Sequence, residues 1–264
     1  MFLTVITINR NNAVGLQKTL RCLSQQSYSN FEQVIVDGDS SDGSKDVIVD
    51  PEFMVHRWVS EADTGIYNAM NKAIAMASGS YLLFLNSGDE LIDRNALAMA
   101  VDTIKGKDFY YFATEVRPNA GGGAPWIKYH PEVLTFSHFF KESLPHQSTF
   151  IKSTIFTRYG LYDETLCICA DWKHFMICIC RYNCSYHSDS RTMGVFYLDG
   201  ISSNPKERIN HQSERNRVLA AEFPAFIDDT RRLFIGLNDS AILKMVRGCR
   251  TVLLLKKIGL LWNF

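Results

Sequence analysis

Neither sign of charge is in excess: 28 Lys and Arg offset 28 Asp and Glu over 264 residues. With no net field, the chain has nothing to draw a polyanion, and no nucleic-acid partner is expected. Long hydrophobic runs are missing too. No stretch approaches the roughly 18 apolar residues of a membrane span. The opening MFLTVITINR has no basic leader, and its short apolar run meets Asn-Arg-Asn-Asn, so a secretory signal is not expected. No cysteine pair has CxxC spacing. The seven are Cys22, Cys167, Cys169, Cys178, Cys180, Cys184 and Cys249. An odd count with CxC spacing fits reduced, buried thiols in the cytoplasm better than zinc or a disulfide framework. A glycine-rich basic phosphate loop is also lacking after the first apolar run, where Asn9-Arg10-Asn11-Asn12 stands instead. That argues against a nucleotidyltransferase.

What is present is a pair of apolar runs that end in carboxylates. Val34-Ile35-Val36 runs into Asp37, and Tyr81-Leu82-Leu83-Phe84-Leu85 runs into Asn86-Ser87-Gly88-Asp89. Continuous apolar runs suit strands buried on both faces, as in a parallel sheet flanked by helices. Ligands of such sheets bind at the carboxyl ends of the strands. Two acidic groups at one edge can hold a polar ligand, and a divalent cation where they converge.

Strands are predicted over 2–8, 31–36, 53–59 and 81–85. A helix capped by Asn11 or Asn12 carries the stripe Ala13, Leu16, Leu20, Leu23. A second helix carries Ile66, Ala69, Met70, Ala73, Ile74 and Ala77, with Gly79 as its stop. Alternating strands and helices predict a parallel α/β sheet with right-handed crossovers. Beyond Asp89 the pattern loosens. Helices are predicted over 93–104, 150–159, 170–181 and 207–222, strands over 109–116 and 193–198, and a loop at 119–125. The tail, 240–264, mixes apolar residues and Trp262 with Lys244, Arg247, Arg250, Lys256 and Lys257. That mixture predicts an interfacial helix on an anionic membrane surface; the alternative is a helix packed on the domain or in a homodimer.

Several ordered blocks, VDGDSSDGS, DTGIYNAMNKAIAMASGSYLLFLNSGD, HQSTF and LYDETLCICADW, together resemble glycosyltransferase family 2. The likeness is greatest to bacterial enzymes of O-antigen, capsule or colanic-acid-type polysaccharide synthesis, and covers roughly residues 1–205. It implies an α/β GT-A fold: a Rossmann-like mixed central sheet flanked by helices, with a C-terminal helical extension. Residues 1–205 would be the catalytic domain, with a nucleotide-sugar half at 1–105 and an acceptor half at 106–205. Residues 206–264 would be the helical region that associates with membrane.

The implied reaction moves a hexose or N-acetylhexosamine from a UDP-sugar to a lipid-diphosphate-linked (undecaprenyl-type) saccharide. It inverts the anomeric centre, at the inner face of the cytoplasmic membrane, in lipopolysaccharide-type synthesis. Asp89 is the implied ligand of Mn2+ or Mg2+, being the surviving carboxylate of a DxD-type motif that here reads Asn86-Ser87-Gly88-Asp89. Thr7, Asn9, Asp37, Asp63, Lys72, Asn86 and Ser87 are implied donor contacts, Asp37 for the uracil N–H. Asp171 is the implied general base, with Asp163 and Glu164 as nearby alternatives. His146, Gln147, His211 and Arg215 are candidates toward acceptor and diphosphate. The segment from Gln212 to Asn216 resembles the QxxRW of processive synthases, but Asn replaces Trp and processive polymerisation is not expected. The lost DxD motivates an alternative, a non-catalytic sugar-nucleotide-binding or scaffolding subunit.

Overall fold

The computed structural model describes residues 2–118, 123–198, 205–229 and 232. The chain divides into two compact units, Met1–Glu214 and Arg215–Phe264. The chain opens with β1 (Leu3–Asn9), α1 (Ala13–Ser24), β2 (Phe31–Asp37), α2 (Ser44–Ile48), β3 (Arg57–Ser60), α3 (Ile66–Met76) and β4 (Tyr81–Phe84). Next come β5 (Glu90–Leu91), α4 (Ala96–Thr103), β6 (Phe109–Arg117), β7 (Trp126–Lys128), α5 (Phe136–Lys141) and a 3₁₀ turn at His146–Ser148. The rest is β8 (Thr149–Lys152), α6 (Thr154–Tyr159), α7 (Ala170–Met176), a π turn at Ile177–Arg181, β9 (Tyr186–Tyr197) and α8 (Arg208–Glu222).

One mixed sheet runs β3-β2-β1-β4-β8-β6-β9-β5, with β7 on β6. The first four strands are parallel, as the apolar runs require: every residue of β2 is buried. Helix α1 is capped by Asn12, whose side chain accepts from the Gly15 N–H at 3.1 Å. Its Leu16 and Leu20 pack with Ile35, Ile48 and Phe53. On a second cluster, Leu3, Val5, Leu83, Phe112 and Phe150 meet Leu97 of α4.

The expected strand at 53–59 pairs only from Arg57, because Phe53 turns into the core beside Leu16. Residues 150–159 were expected to be helical. The helix begins only at Thr154, as α6, and Thr149–Lys152 forms β8, wedged between β4 and β6 through the pairs Leu83–Phe150 and Tyr110–Phe150. Pairing on both edges overrides the local helical spacing. Gly79 is not a helix stop, since α3 is capped by Ala77. A Cβ on Gly79 would stand 2.5 Å from the Thr4 backbone nitrogen. Beside it, Glu32 Oε2 accepts from Thr4 Oγ1 at 2.7 Å and from Ser78 N at 2.8 Å.

Parts of the 119–125 loop and all of the basic tail beyond 232 lie outside the described residues. Among those described, no helix is long and apolar enough to cross a membrane. Because the Gly79 contact is with backbone, Gly79→Ala should lower unfolding stability by about 1–3 kcal/mol, read from the urea midpoint at unchanged m-value. An unshifted midpoint would deny the close approach.

Candidate active site

The sheet brings three chain ends to one edge. Parallel pairing sets Asn9 beside Asp37 and Asp37 beside Ser60. Strand β8 runs antiparallel to β4, so the 3₁₀ turn that begins it lies at the end where β4 finishes. That places His146 and Gln147 against the Asn86–Asp89 turn. Such a strand-end crevice, where the direction of the sheet changes, is the expected ligand site of an open α/β sheet.

Asp37 is 0% exposed, and both its oxygens are occupied. Oδ1 accepts from Asn9 Nδ2 at 2.7 Å and Ser40 Oγ at 2.6 Å; Oδ2 accepts from Ser40 N at 2.9 Å and Ser60 Oγ at 2.6 Å. Burial works to raise its pKa, but the bonds from Ser40, Ser60 and Asn9 hold it below the ordinary carboxylate range. Asp37 is thus the knot of the first strand ends, and the expected free acceptor for a base N–H is already filled here. Thr7 is likewise buried, donating to Leu85 O at 2.8 Å across β1 and β4. Lys72, expected at a phosphate, pairs with Glu61 at 2.7 Å and donates to Ala62 O at 3.0 Å.

Other expected donor contacts do reach the edge. Ser87 Oγ lies 2.8 Å from Asn9 Oδ1 and 3.1 Å from Ile8 O. Asp63 closes over the loop after β2: a Cβ on Gly38 would stand 2.3 Å from its Oδ2, and Arg10 is 3.9 Å from its Oδ1.

At the centre, one imidazole spans two carboxylates. His146 Nε2 is 3.5 Å from Asp89 Oδ2, and Nδ1 is 3.6 Å from Asp171 Oδ2. Asp89 Oδ2 also accepts from Asn86 N at 3.0 Å, and Asn86 Nδ2 is 3.3 Å from His146 Nε2. Burial works against charge on His146. The hydrogen bonds and attraction of Asp171 and Asp89 outweigh it and raise its pKa to about 10. Gln147 is 1% exposed and lies against β9, where a Cβ on Gly194 would stand 3.2 Å from its Cγ.

Asp171 sits in the first turn of α7, two residues beyond the cap position, which Cys169 takes. Its Oδ1 accepts from Trp172 N at 2.8 Å, and Trp172 is anchored through Nε1 to Phe139 O at 2.7 Å. The neighbouring acids are tied elsewhere. Asp163 pairs with Lys173 at 2.7 Å; burial opposes its charge, yet Lys173 and Thr165 hold its pKa down to about 2. Glu164 accepts from Asn71 Nδ2 at 2.8 Å and Asn68 Nδ2 at 2.9 Å.

Those asparagines were missed in the sequence. With Tyr67 they form one face of α3 that grips the loop leading to Asp171. Asn71 Nδ2 donates to Tyr162 O at 2.9 Å, Asn71 Oδ1 accepts from Tyr162 N at 3.0 Å, and Tyr67 OH is 3.0 Å from Asp171 Oδ1. The available signal was a Tyr and an Asn four apart inside an otherwise apolar stripe, since buried polar groups are there for a partner. From the other side, Glu214 of α8 accepts from three successive N–H groups, Cys167, Ile168 and Cys169, at 2.6, 3.0 and 3.1 Å. The His211 carbonyl accepts from Cys169 Sγ at 3.6 Å, and Arg215 belongs to the second unit.

No group of three or more His, Cys, Asp or Glu side chains among the described residues could hold a metal alone. The donor set still fits a hard cation shared with phosphate oxygens, which needs one or two protein carboxylates. Asp89 supplies one, and Asn86 Oδ1 beside it is buried with no hydrogen-bond partner.

The fold and this edge define a GT-A glycosyltransferase, a mixed sheet curled around an acid-lined strand-end cleft. Residues 4–166 match the family described as Glycosyl transferase family 2, and the chain belongs to that family. It is 33% identical over 181 residues to an uncharacterised glycosyltransferase of Mycobacterium tuberculosis, covering 66% of this chain and 67% of that one. A Bacillus subtilis glycosyltransferase, TuaG, assigned to teichuronic acid biosynthesis, is 28% identical over 146 residues, 53% of this chain and 58% of its own. Among solved structures, TarS 1–349 of S. aureus in complex with UDP superposes with a TM-score of 0.61 at 20% identity. That match covers 76% of this chain, which spans only 62% of the TarS chain.

The charged bridge has a sign that can be tested. His146 unfolded has its ordinary value of 6.5, against about 10 in the folded site. Its stabilisation is therefore whole below 6.5 and lost as pH rises toward 10. Over that interval wild type should lose more unfolding free energy than His146→Gln in urea titrations; parallel losses would rule the bridge out.

Proposed function

We propose that the chain is an inverting transferase that moves a hexose or N-acetylhexosamine from a UDP-sugar to a lipid-diphosphate-linked saccharide in bacterial surface polysaccharide synthesis, forming a β-glycoside. The observation that carries the reading is the separation of two carboxylates by His146: Asp89 on the donor side and Asp171 across the ring.

Asp171 takes the proton of the acceptor hydroxyl as that oxygen attacks the anomeric carbon. Attack from the face opposite the diphosphate inverts the centre. Asp171 fits this role better than Asp163 or Glu164, because their oxygens are already paired with Lys173, Asn68 and Asn71. Asp89, with Asn86, would hold Mn2+ or Mg2+ against the donor phosphates, and the ion would neutralise charge on the departing diphosphate. Asn9, Asp63 and Ser87 line the donor edge, organised from below by Asp37. The UDP bound by TarS and the teichuronic acid assignment of TuaG support the donor and the pathway class. The basic, Trp-bearing tail supports work at the inner membrane face.

UDP release by the purified protein tests this, with a panel of UDP-sugars and a synthetic lipid-diphosphate GlcNAc or GalNAc acceptor. Release from one donor should depend on acceptor, stop with EDTA and return with manganese. Asp171→Asn should lower kcat by roughly 100- to 10,000-fold at similar donor KM. UDP binding without turnover of any donor would favour a binding-only subunit. Full activity in Asp171→Asn would remove Asp171 as the base.

A further inference from the structure

The two oxygens of Asp171 have different surroundings. Oδ2 faces His146 and the cleft. Oδ1 is held from inside, by Trp172 N at 2.8 Å and by Tyr67 OH at 3.0 Å. Tyr67 itself is 5% exposed and has a second acceptor, Ile168 O, at 2.7 Å. One hydroxyl proton thus has two acceptors, a carboxylate and a carbonyl of the same loop.

We propose that Tyr67 is a positioning residue for the base: its hydroxyl holds Asp171 Oδ1, so that Oδ2 is the oxygen presented to the acceptor. This rests on Asp171 being the base. In the step, the proton passes from the acceptor hydroxyl to Asp171 Oδ2, and the oxygen it leaves forms the glycosidic bond as the anomeric C–O bond to the diphosphate breaks and UDP departs. Tyr67 transfers no proton. As the charge on Asp171 is neutralised, its O–H turns from Oδ1 to Ile168 O, keeping a partner in both states. The carboxylate before transfer is the stronger acceptor, because hydrogen bonds to ionised groups are about twice as strong as neutral ones.

The groups facing Asp171 are His146 from the 3₁₀ turn, Tyr67 from α3, Tyr162 from the loop before α7 and His174 from α7 itself. Burial pushes the Tyr67 and Tyr162 phenols well up and His174 down to about 4. Tyr67 is therefore a lasting donor. Its ring packs 5.6 Å from that of Tyr162, whose hydroxyl is buried without a partner. The pair supplies an internal control: both rings share the packing, and Tyr67 alone of the two hydroxyls bonds Asp171.

The test is Tyr67→Phe, with Tyr162→Phe and Asp171→Asn alongside, by kcat, donor KM and the pH profile of kcat/KM. Tyr67→Phe should lower kcat about tenfold with donor KM unchanged, and move the acidic limb to higher pH, since a base that loses a donor holds its proton longer. Tyr162→Phe should leave that limb in place. If Asp171→Asn is inactive and Tyr67→Phe keeps the wild-type limb, the proposal falls, even where kcat drops, because a merely structural role lowers activity without moving the limb. If Asp171→Asn stays active, the base assignment falls and Tyr67's role with it. Should Tyr67→Phe fail to fold, 3,5-difluorotyrosine at position 67 keeps the shape and strengthens the donor. It should move the limb to lower pH; an unmoved limb overturns the proposal.

Discussion

The cleft depends on an imidazolium held between two carboxylates by a returning strand. Without β8 beside β4, the turn at His146 would have no reason to meet Asn86 and Asp89. The ring stands between Asp89 and Asp171, with one nitrogen turned to each. The raised pKa of His146 is the energetic mark of that arrangement.

The acids of this edge divide by environment, as paired carboxylates in enzymes do. Asp37 has four hydrogen bonds and ties the ends of β1, β2 and β3. Asp163 and Glu164 are bound to Lys173 and to the asparagines of α3. Asp89 and Asp171 each keep an oxygen toward the ring of His146. The first three tie the walls of the cleft together, and the last two face its interior. Leaving a buried polar group unpaired costs about 1–3 kcal/mol, so Asn71, buried and bonded to both Tyr162 and Glu164, is strongly specified by its partners.

The parallel half was legible in the sequence because its signals are local. Val34 to Asp37 and Tyr81 to Leu85 are apolar runs that stop at polar turns, and the strands end within a residue or so of those points. The resemblance of the ordered blocks pointed to Asp89, His146 and Asp171, and the fold sets these three side by side. What could not be read was partnership. Thr149 to Lys152 is too short to announce itself, though Thr, Phe and Ile suit a strand, and it becomes β8 by pairing on both edges. Asp37 looked like a free acceptor, since nothing local announces that Asn9 and Ser60, on other strands, will fill it. Tyr67 and Asn71 stand four apart among apolar residues of α3, and their partners lie about a hundred residues on.

Charge balance at the cleft bears on the metal. Asp89 and Asp171 bring two negative charges and His146 one positive, so the edge is already net negative before a donor arrives. A nucleoside diphosphate adds more. Lys72 is drawn off to Glu61, and Lys18 to Glu90 at 2.9 Å, so neither offsets that charge as a spare ammonium. Arg10 leans on Asp63 at the far side of the loop after β2. Coulomb repulsion between a diphosphate and Asp89 is several-fold stronger at a partly buried edge than in water. A divalent ion held by Asp89 would offset that repulsion, and a single carboxylate is enough for an ion that keeps most of its other ligands as phosphate or water. On this argument the reduction of a DxD motif to Asn86-Ser87-Gly88-Asp89 lowers the number of protein ligands such an ion would have without excluding it.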